Sequence, residues 1–253
     1  MSQIKQALFG DGLDVATESE IHSFLLIGQS NMAGRGDYAD VEPIVNDHCF
    51  MLRMGRWQKM SEPINVDRGI FDTKPKCGVG PGASFADGVA NAYGWRVGLI
   101  PCADGGTKLS QWMPGEVLFD HAVMMAKLAG RTARLSGILW HQGESDCGSE
   151  ERVGVYKEKF IEMITALRRE LDAEDLPLLI GELSEDLNEK YNQEERPKRL
   201  NKIFHEIAGV LPNTAVVSSK GLGLKSDGLH FNAVSQREFG KRYFEAFSRL
   251  MHR

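Results

Sequence analysis

The chain has 253 residues, 42% of them hydrophobic, which fits one large domain, or at most two small ones, with a sizeable core. Its 30 Lys and Arg against 35 Asp and Glu leave a net charge of −5, with no basic stripe or lysine-rich tail, which argues against nucleic acid as a partner. No apolar run approaches the roughly 18 residues that span a bilayer, so no membrane partner is expected.

Residues 1–20 hold Asp11, Asp14, Glu18 and Glu20 and no long apolar core, unlike a signal peptide. Cys49, Cys77, Cys102 and Cys147 are scattered, with no Cys-x-x-Cys. Free thiols in a reducing cytoplasm are therefore expected.

The first apolar run, 24–27, reads as a buried strand that ends on Gly28-Gln29-Ser30-Asn31-Met32. Residues 34–81 are punctuated by Gly and Pro and read as loops over one end of a sheet, with one further strand candidate at 49–54 before Gly55-Arg56. A helical stretch at 82–93 precedes a strand at 97–100 and the loop Pro101-Cys102-Ala103-Asp104-Gly105-Gly106-Thr107. A second helix, 116–131, precedes a strand at 137–140 and then His141-Gln142-Gly143-Glu144-Ser145-Asp146. In 150–171, Val155, Phe160, Met163, Ile164, Leu167 and Leu171 recur at helical spacing. Strand 177–180, helix 196–210 and strand 215–217 follow, then a Gly-, Ser- and Lys-rich loop to Asp227-Gly228-Leu229-His230 and a last helix at 232–251. Strands alternating with amphipathic helices predict a single α/β domain with a parallel sheet of five strands.

Open parallel sheets bind ligands beyond the carboxyl ends of their strands. Four such ends here carry small and polar residues. A serine hydroxyl needs a base in hydrogen-bond reach, and the base needs an orienting partner. Ser30, His230 and Asp227 can supply these roles, the last two lying three apart, as on one helical turn. Backbone N–H groups at Ser30 and at Gly105 or Gly106, with a side-chain amide from Gln142 or Asn31, can meet a developing oxyanion. The stretch Gly28–Met32 is not the G-x-S-x-G elbow of α/β-hydrolases, because its fifth residue is methionine.

Gly28-Gln29-Ser30-Asn31-Met32, Gly105-Gly106-Thr107, His141-Gln142-Gly143-Glu144-Ser145 and Asp227-Gly228-Leu229-His230 resemble the successive blocks of the SGNH hydrolase superfamily. They are most similar to its branch of acetylxylan esterases (carbohydrate esterase family six) and sialate O-acetylesterases. The resemblance spans about 21–250. It implies a flavodoxin-like three-layer α/β/α sandwich and neither metal nor organic cofactor. It implies Ser30 as nucleophile, His230 as base and then acid, and Asp227 as its orienting partner. The oxyanion hole would use the backbone of Ser30, a glycine of the Gly105-Gly106 pair and the Gln142 side chain. The implied activity is removal of O-acetyl groups from a small acetylated carbohydrate.

Around these groups, Gln29, Asn31, His141, Glu144, Trp112 and Arg35 are expected to support the site or to meet substrate. His141 reads as structural or substrate-facing, and Glu144 as support for the Gln142 loop rather than half of a glycosidase dyad with Glu182. Trp112 floors the pocket or packs in the core. Arg35 and Asp104 are candidate substrate contacts, and Asp120-His121 reads as a solvated helix face. Two other classes are weaker: a sugar-binding protein without catalysis, which would have no need of all three of Ser30, Asp227 and His230, and a metallo-hydrolase, for which no ligand spacing is present.

Overall fold

The computed structural model describes residues 20–65, 77–184, 186–187 and 195–252. The reading of 1–20 falls outside these residues apart from Glu20, as do 66–76 of the Gly- and Pro-punctuated stretch 34–81 and most of 185–194.

Strand β1 (Ile21–Gly28) is followed by a single helical turn α1 (Ser30–Ala33), then by β2 (Cys49–Arg53) and β3 (Arg56–Lys59). Next come α2 (Gly82–Tyr93), β4 (Arg96–Pro101), α3 (Val117–Ala129) and β5 (Ala133–His141). Helices α4 (Glu150–Gly154) and α5 (Tyr156–Glu170), β6 (Leu178–Gly181), α6 (Arg196–Ala208), β7 (Thr214–Val217) and α7 (Ala233–Met251) complete the order. The sheet has seven strands in the order β3-β2-β4-β1-β5-β6-β7. All neighbours are parallel except the β2–β3 hairpin.

The expected five strands are thus two short. The 49–54 candidate is β2. Strand β3 escaped the sequence reading because Trp57 is its one buried side chain, so it shows no apolar run. Its turn places Met54 at φ 50° and Gly55 at φ 74°, the paired positive φ values of a type I′ hairpin.

β1 sits between β4 and β5, and both its faces are buried. Leu25 and Ile27 pack with residues of α3, α5 and α6, whereas Phe24 and Leu26 pack with residues of α2 and α7. That explains its near-continuous apolar sequence. Full burial of each such side chain contributes about 1.5–3 kcal/mol. Successive strands leave β1 in opposite directions, so the crevice at its carboxyl end is the switch point of the sheet.

The helical stretch 150–171 is two helices. The chain breaks at Val155, which is 40% exposed, and Tyr156 takes the buried position instead. Gly154 explains the break, since glycine weakens a helix interior. Asn232 caps α7 rather than belonging to it, its side chain accepting from the Ser235 N–H at 2.9 Å. Among the described residues no helix is long and apolar enough to cross a membrane, and no group of three or more His, Cys, Asp or Glu is placed to hold a metal ion.

Candidate active site

β1 ends against the backbone of β5. At Gly28 φ is +125°, and a Cβ there would lie 2.1 Å from the His141 carbonyl oxygen. Only glycine fits that approach. The Gln29 N–H then donates to the same oxygen at 2.8 Å, which fixes the turn into α1. Ser30 is the first residue of α1, so its N–H has no partner within the helix.

Asp227 and His230 lie on a tight turn, not on a helix as their spacing suggested. Asp227 Oδ1 accepts from the N–H groups of Leu229 and His230, both at 2.9 Å, so the carboxylate builds the turn that carries it. The Lys225 N–H closes it by donating to the His230 carbonyl at 2.7 Å.

The turn delivers three groups in line. Asp227 Oδ2 is 2.8 Å from His230 Nδ1, and His230 Nε2 is 3.0 Å from Ser30 Oγ. A carboxylate only accepts, so Nδ1 carries the proton and Nε2 is left to accept from the serine hydroxyl. Burial disfavours ionisation of Asp227, but its hydrogen bonds from the His230 backbone and ring and from Leu229 outweigh that and hold its carboxyl down at about 2.

Asn31 locks the nucleophile turn to the histidine turn. Its Nδ2 donates to Glu144 Oε1 at 2.7 Å and to the Leu229 carbonyl at 3.3 Å, and its Oδ1 accepts from the Phe231 N–H at 3.0 Å. With its amide so engaged, Asn31 positions the site rather than offering a donor to substrate. Glu144 thereby supports Asn31, and its Oε1 also lies 3.5 Å from His141 Nδ1.

Gln142 does not face the site. It is fully buried, and its Nε2 lies 2.9 Å from the Thr107 carbonyl, 2.5 Å from Asp146 Oδ2 and 3.2 Å from Gln29 Oε1. Two N–H groups serve three acceptors, which leaves no proton for a substrate oxygen. Its side chain reaches past the site to Asp146, and Tyr156 fixes the other end by donating to Oε1 at 2.8 Å.

Gln29 has the opposite arrangement. Its Oε1 accepts from Gln142 and from the N–H groups of Gly143 and Ser145, both at 3.4 Å. The carbonyl end is thus anchored, and no acceptor among the described residues meets the Nε2 end. The glycine pair lies beside β1, because the Cys102 and Asp104 N–H groups donate to the Leu26 and Gly28 carbonyls, both at 2.9 Å. Gly106 adopts φ +72°, and a Cβ there would meet open space.

The remaining expected residues divide clearly. His141 is buried, its Nε2 3.1 Å from the Glu182 carbonyl and its ring edge-on to Phe231 and Phe239, so it is structural. Trp112 is 1% exposed and packs edge-on against Trp140 as core, not as a pocket floor. Arg35 donates to the Gly34 carbonyl at 2.8 Å and to Cys77 Sγ at 3.6 Å. Glu182 meets His205 and the Ser219 N–H, and so forms no dyad with Glu144. Asp120 and His121 are exposed, as expected.

Three supporting residues escaped the sequence reading: Asp146, Tyr156 and Gln236. Gln236 is fully buried and donates to the Asn31 carbonyl at 3.2 Å. Its one signal is a polar residue on the apolar stripe of α7, between Ala233 and Phe239.

A mostly parallel sheet with an oriented imidazole and a serine hydroxyl beyond its central strand is the architecture of SGNH-like hydrolases. Residues 20–249 match the family described as "Carbohydrate esterase, sialic acid-specific acetylesterase", and the chain belongs to it. It is accordingly a hydrolase of ester bonds. A probable carbohydrate esterase of Arabidopsis thaliana is 32% identical over 244 residues, covering 88% of this chain and 89% of that protein. The X-ray structure of an Arabidopsis thaliana protein superposes with a TM-score of 0.81 at 29% identity, covering 91% of this chain and 99% of that one. NanS shares the fold at a TM-score of 0.74 and 15% identity, covering 93% of this chain and 99% of its own. A carbohydrate acetylesterase from Xanthomonas citri does so at 0.62 and 19%, covering 91% of this chain and 57% of its own.

Proposed function

We propose that this protein is a serine esterase that removes O-acetyl groups from a carbohydrate. The observation that carries the reading is the line from Ser30 Oγ through His230 to Asp227 at the carboxyl end of the central strand. In this mechanism Ser30 Oγ attacks the acetyl carbonyl carbon as its proton passes to His230 Nε2. The tetrahedral oxyanion collapses, and His230 returns the proton to the departing sugar hydroxyl. Water then attacks the acetyl-serine by the same route and releases acetate. Asp227 keeps the imidazole in the tautomer that accepts from Ser30 and stabilises its charged form.

The oxyanion donors we assign are the N–H of Ser30, an N–H of the Gly105-Gly106 pair and Nε2 of Gln29. Gln29 replaces Gln142 in this role because its oxygen is anchored and its amide nitrogen meets no acceptor among the described residues. Gln29→Ala is expected to lower kcat on acetyl esters by about 10²–10³-fold, the usual effect of losing one oxyanion donor. Steady-state kinetics on p-nitrophenyl acetate checks this, and an unchanged kcat removes Gln29 from the hole.

The family description favours an O-acetylated sialic acid as substrate. The Gly28-Gln29-Ser30-Asn31-Met32 block, similar to that of acetylxylan esterases, supports acetylated xylo-oligosaccharide as the second reading. The test is acetate release from both sugars, alongside the p-nitrophenyl acetate, butyrate and octanoate esters. Fast release confined to the acetyl ester and one sugar identifies the substrate. Binding of either sugar without acetate release would instead establish the sugar-binding reading.

A further inference from the structure

Asp146 is 3% exposed, and one of its oxygens joins two loops. Oδ2 accepts from Gln142 Nε2 at 2.5 Å and from the Leu109 N–H at 3.0 Å. Gln142 reaches on to the Thr107 carbonyl and to Gln29 Oε1. The segments that follow β4 and β5 thus meet at a single buried carboxylate, and Gln142 links them to the segment after β1.

A buried carboxylate is costly unless it is well hydrogen-bonded. What this one determines is orientation. A glutamine amide can rotate by half a turn at little steric cost. At Gln142 that rotation would bring Oε1 against the Asp146 carboxylate, the Thr107 carbonyl and Gln29 Oε1, all acceptors. It would also turn the amide nitrogen toward the Tyr156 hydroxyl. The charge on Asp146 makes it the strongest of the three acceptors. It therefore holds Nε2 inward, where it donates to Gln29 Oε1, and the Gln29 nitrogen is turned the other way. The bond to Leu109 holds the far end of the loop that carries the glycine pair.

We propose that Asp146 is a positioning residue for the ester hydrolysis assigned above, on which this inference rests. It orients the Gln142 and Gln29 amides and the 105–109 loop so that the oxyanion donors converge, and it does not touch substrate.

The test compares p-nitrophenyl acetate with its thionoacetate analogue in wild type, Asp146→Asn and Asp146→Ala. Sulfur is larger and a poorer hydrogen-bond acceptor, so an intact oxyanion hole favours the oxo ester. Enzyme is counted by the acylation burst, which excludes unfolded protein. Asp146→Ala is expected to lower kcat on the oxo ester by about 10²-fold with little change in KM, as a displaced catalytic geometry does. Its preference for oxo over thiono ester should narrow. Asp146→Asn keeps an acceptor oxygen but not the charge, and should recover only part of both. An equal loss on the two esters, or no loss in Asp146→Ala, overturns the proposal while leaving the esterase reading intact. If Asp146→Ala does not fold, Asp146→Asn alone is compared with wild type, and an unchanged kcat and oxo-to-thiono ratio overturns the proposal. A wild type that hydrolyses neither ester overturns the esterase reading and this one with it.

Discussion

Ser30→Ala lowers turnover of p-nitrophenyl acetate by about 10⁶-fold, the scale on which loss of a serine nucleophile acts when its partners work as a unit. The hydroxyl is the atom that bonds to the acetyl carbon, and methyl offers nothing in its place. The change should leave the fold intact. Ser30 is buried, but its side chain makes one described hydrogen bond, to His230, and alanine suits the first turn of a helix. The same interdependence gives a second readout. Ser30→Ala combined with His230→Ala should cost no more than either alone, because each removes the same step. Wild-type turnover in Ser30→Ala would sink the covalent mechanism, and the loss of a peptide bearing acetyl-Ser30 from quenched reactions would support it.

Asp227→Asn is expected to lower kcat by about 10⁴-fold, as an Asp-to-Asn change beside a catalytic histidine does elsewhere by imposing the wrong tautomer. The local geometry says how. The two backbone N–H groups at 2.9 Å would claim the asparagine oxygen, leaving its NH₂ toward His230 Nδ1. The ring proton would then sit on Nε2, which could no longer accept from Ser30. The pH dependence has a definite sign. The carboxyl of Asp227 is held at about 2 against an ordinary 3.8, so its contribution to stability is fully present above the ordinary value and is lost as pH falls toward about 2. The wild-type melting temperature should therefore fall across that window more steeply than that of Asp227→Asn. Parallel melting curves would refute the assignment. Asp227 also stays ionised throughout the neutral range, so it does not set the acid limb of the rate profile.

The features read correctly from sequence are those that depend on where strands end. Ser30 follows β1 while Asp227 and His230 share the loop after β7, and strand order was not needed to expect that the two ends meet. Gln142 shows the limit. Its place after β5 was legible, but its direction is decided by Asp146 and by Tyr156 on α5. Periodicity assigned Val155 to the buried face of that helix and gave Tyr156 no place there. Trp112 was ambiguous for a related reason: a large ring after a glycine pair suits a pocket or a core, and only its contact with Trp140 decides. His141 reads from sequence as structural or substrate-facing, and Phe231, Phe239 and the Glu182 carbonyl around it decide for the structural role. The D-x-x-H spacing suggests one turn of helix, but Gly228 at φ +68° makes a tight turn there instead.

The two outer strands of the sheet bear on how the folded chain meets other chains. β3 and β7 each have four residues, and β3 presents exposed Arg56, Gln58 and Lys59. A long, flat, apolar border with unpaired N–H and C=O groups is a template onto which a second molecule adds a strand, and short charged borders deny it that template. Replacing Lys59 and Arg56 with valine would lengthen the apolar margin beside Trp57 and create the adhesive border that the native hairpin lacks.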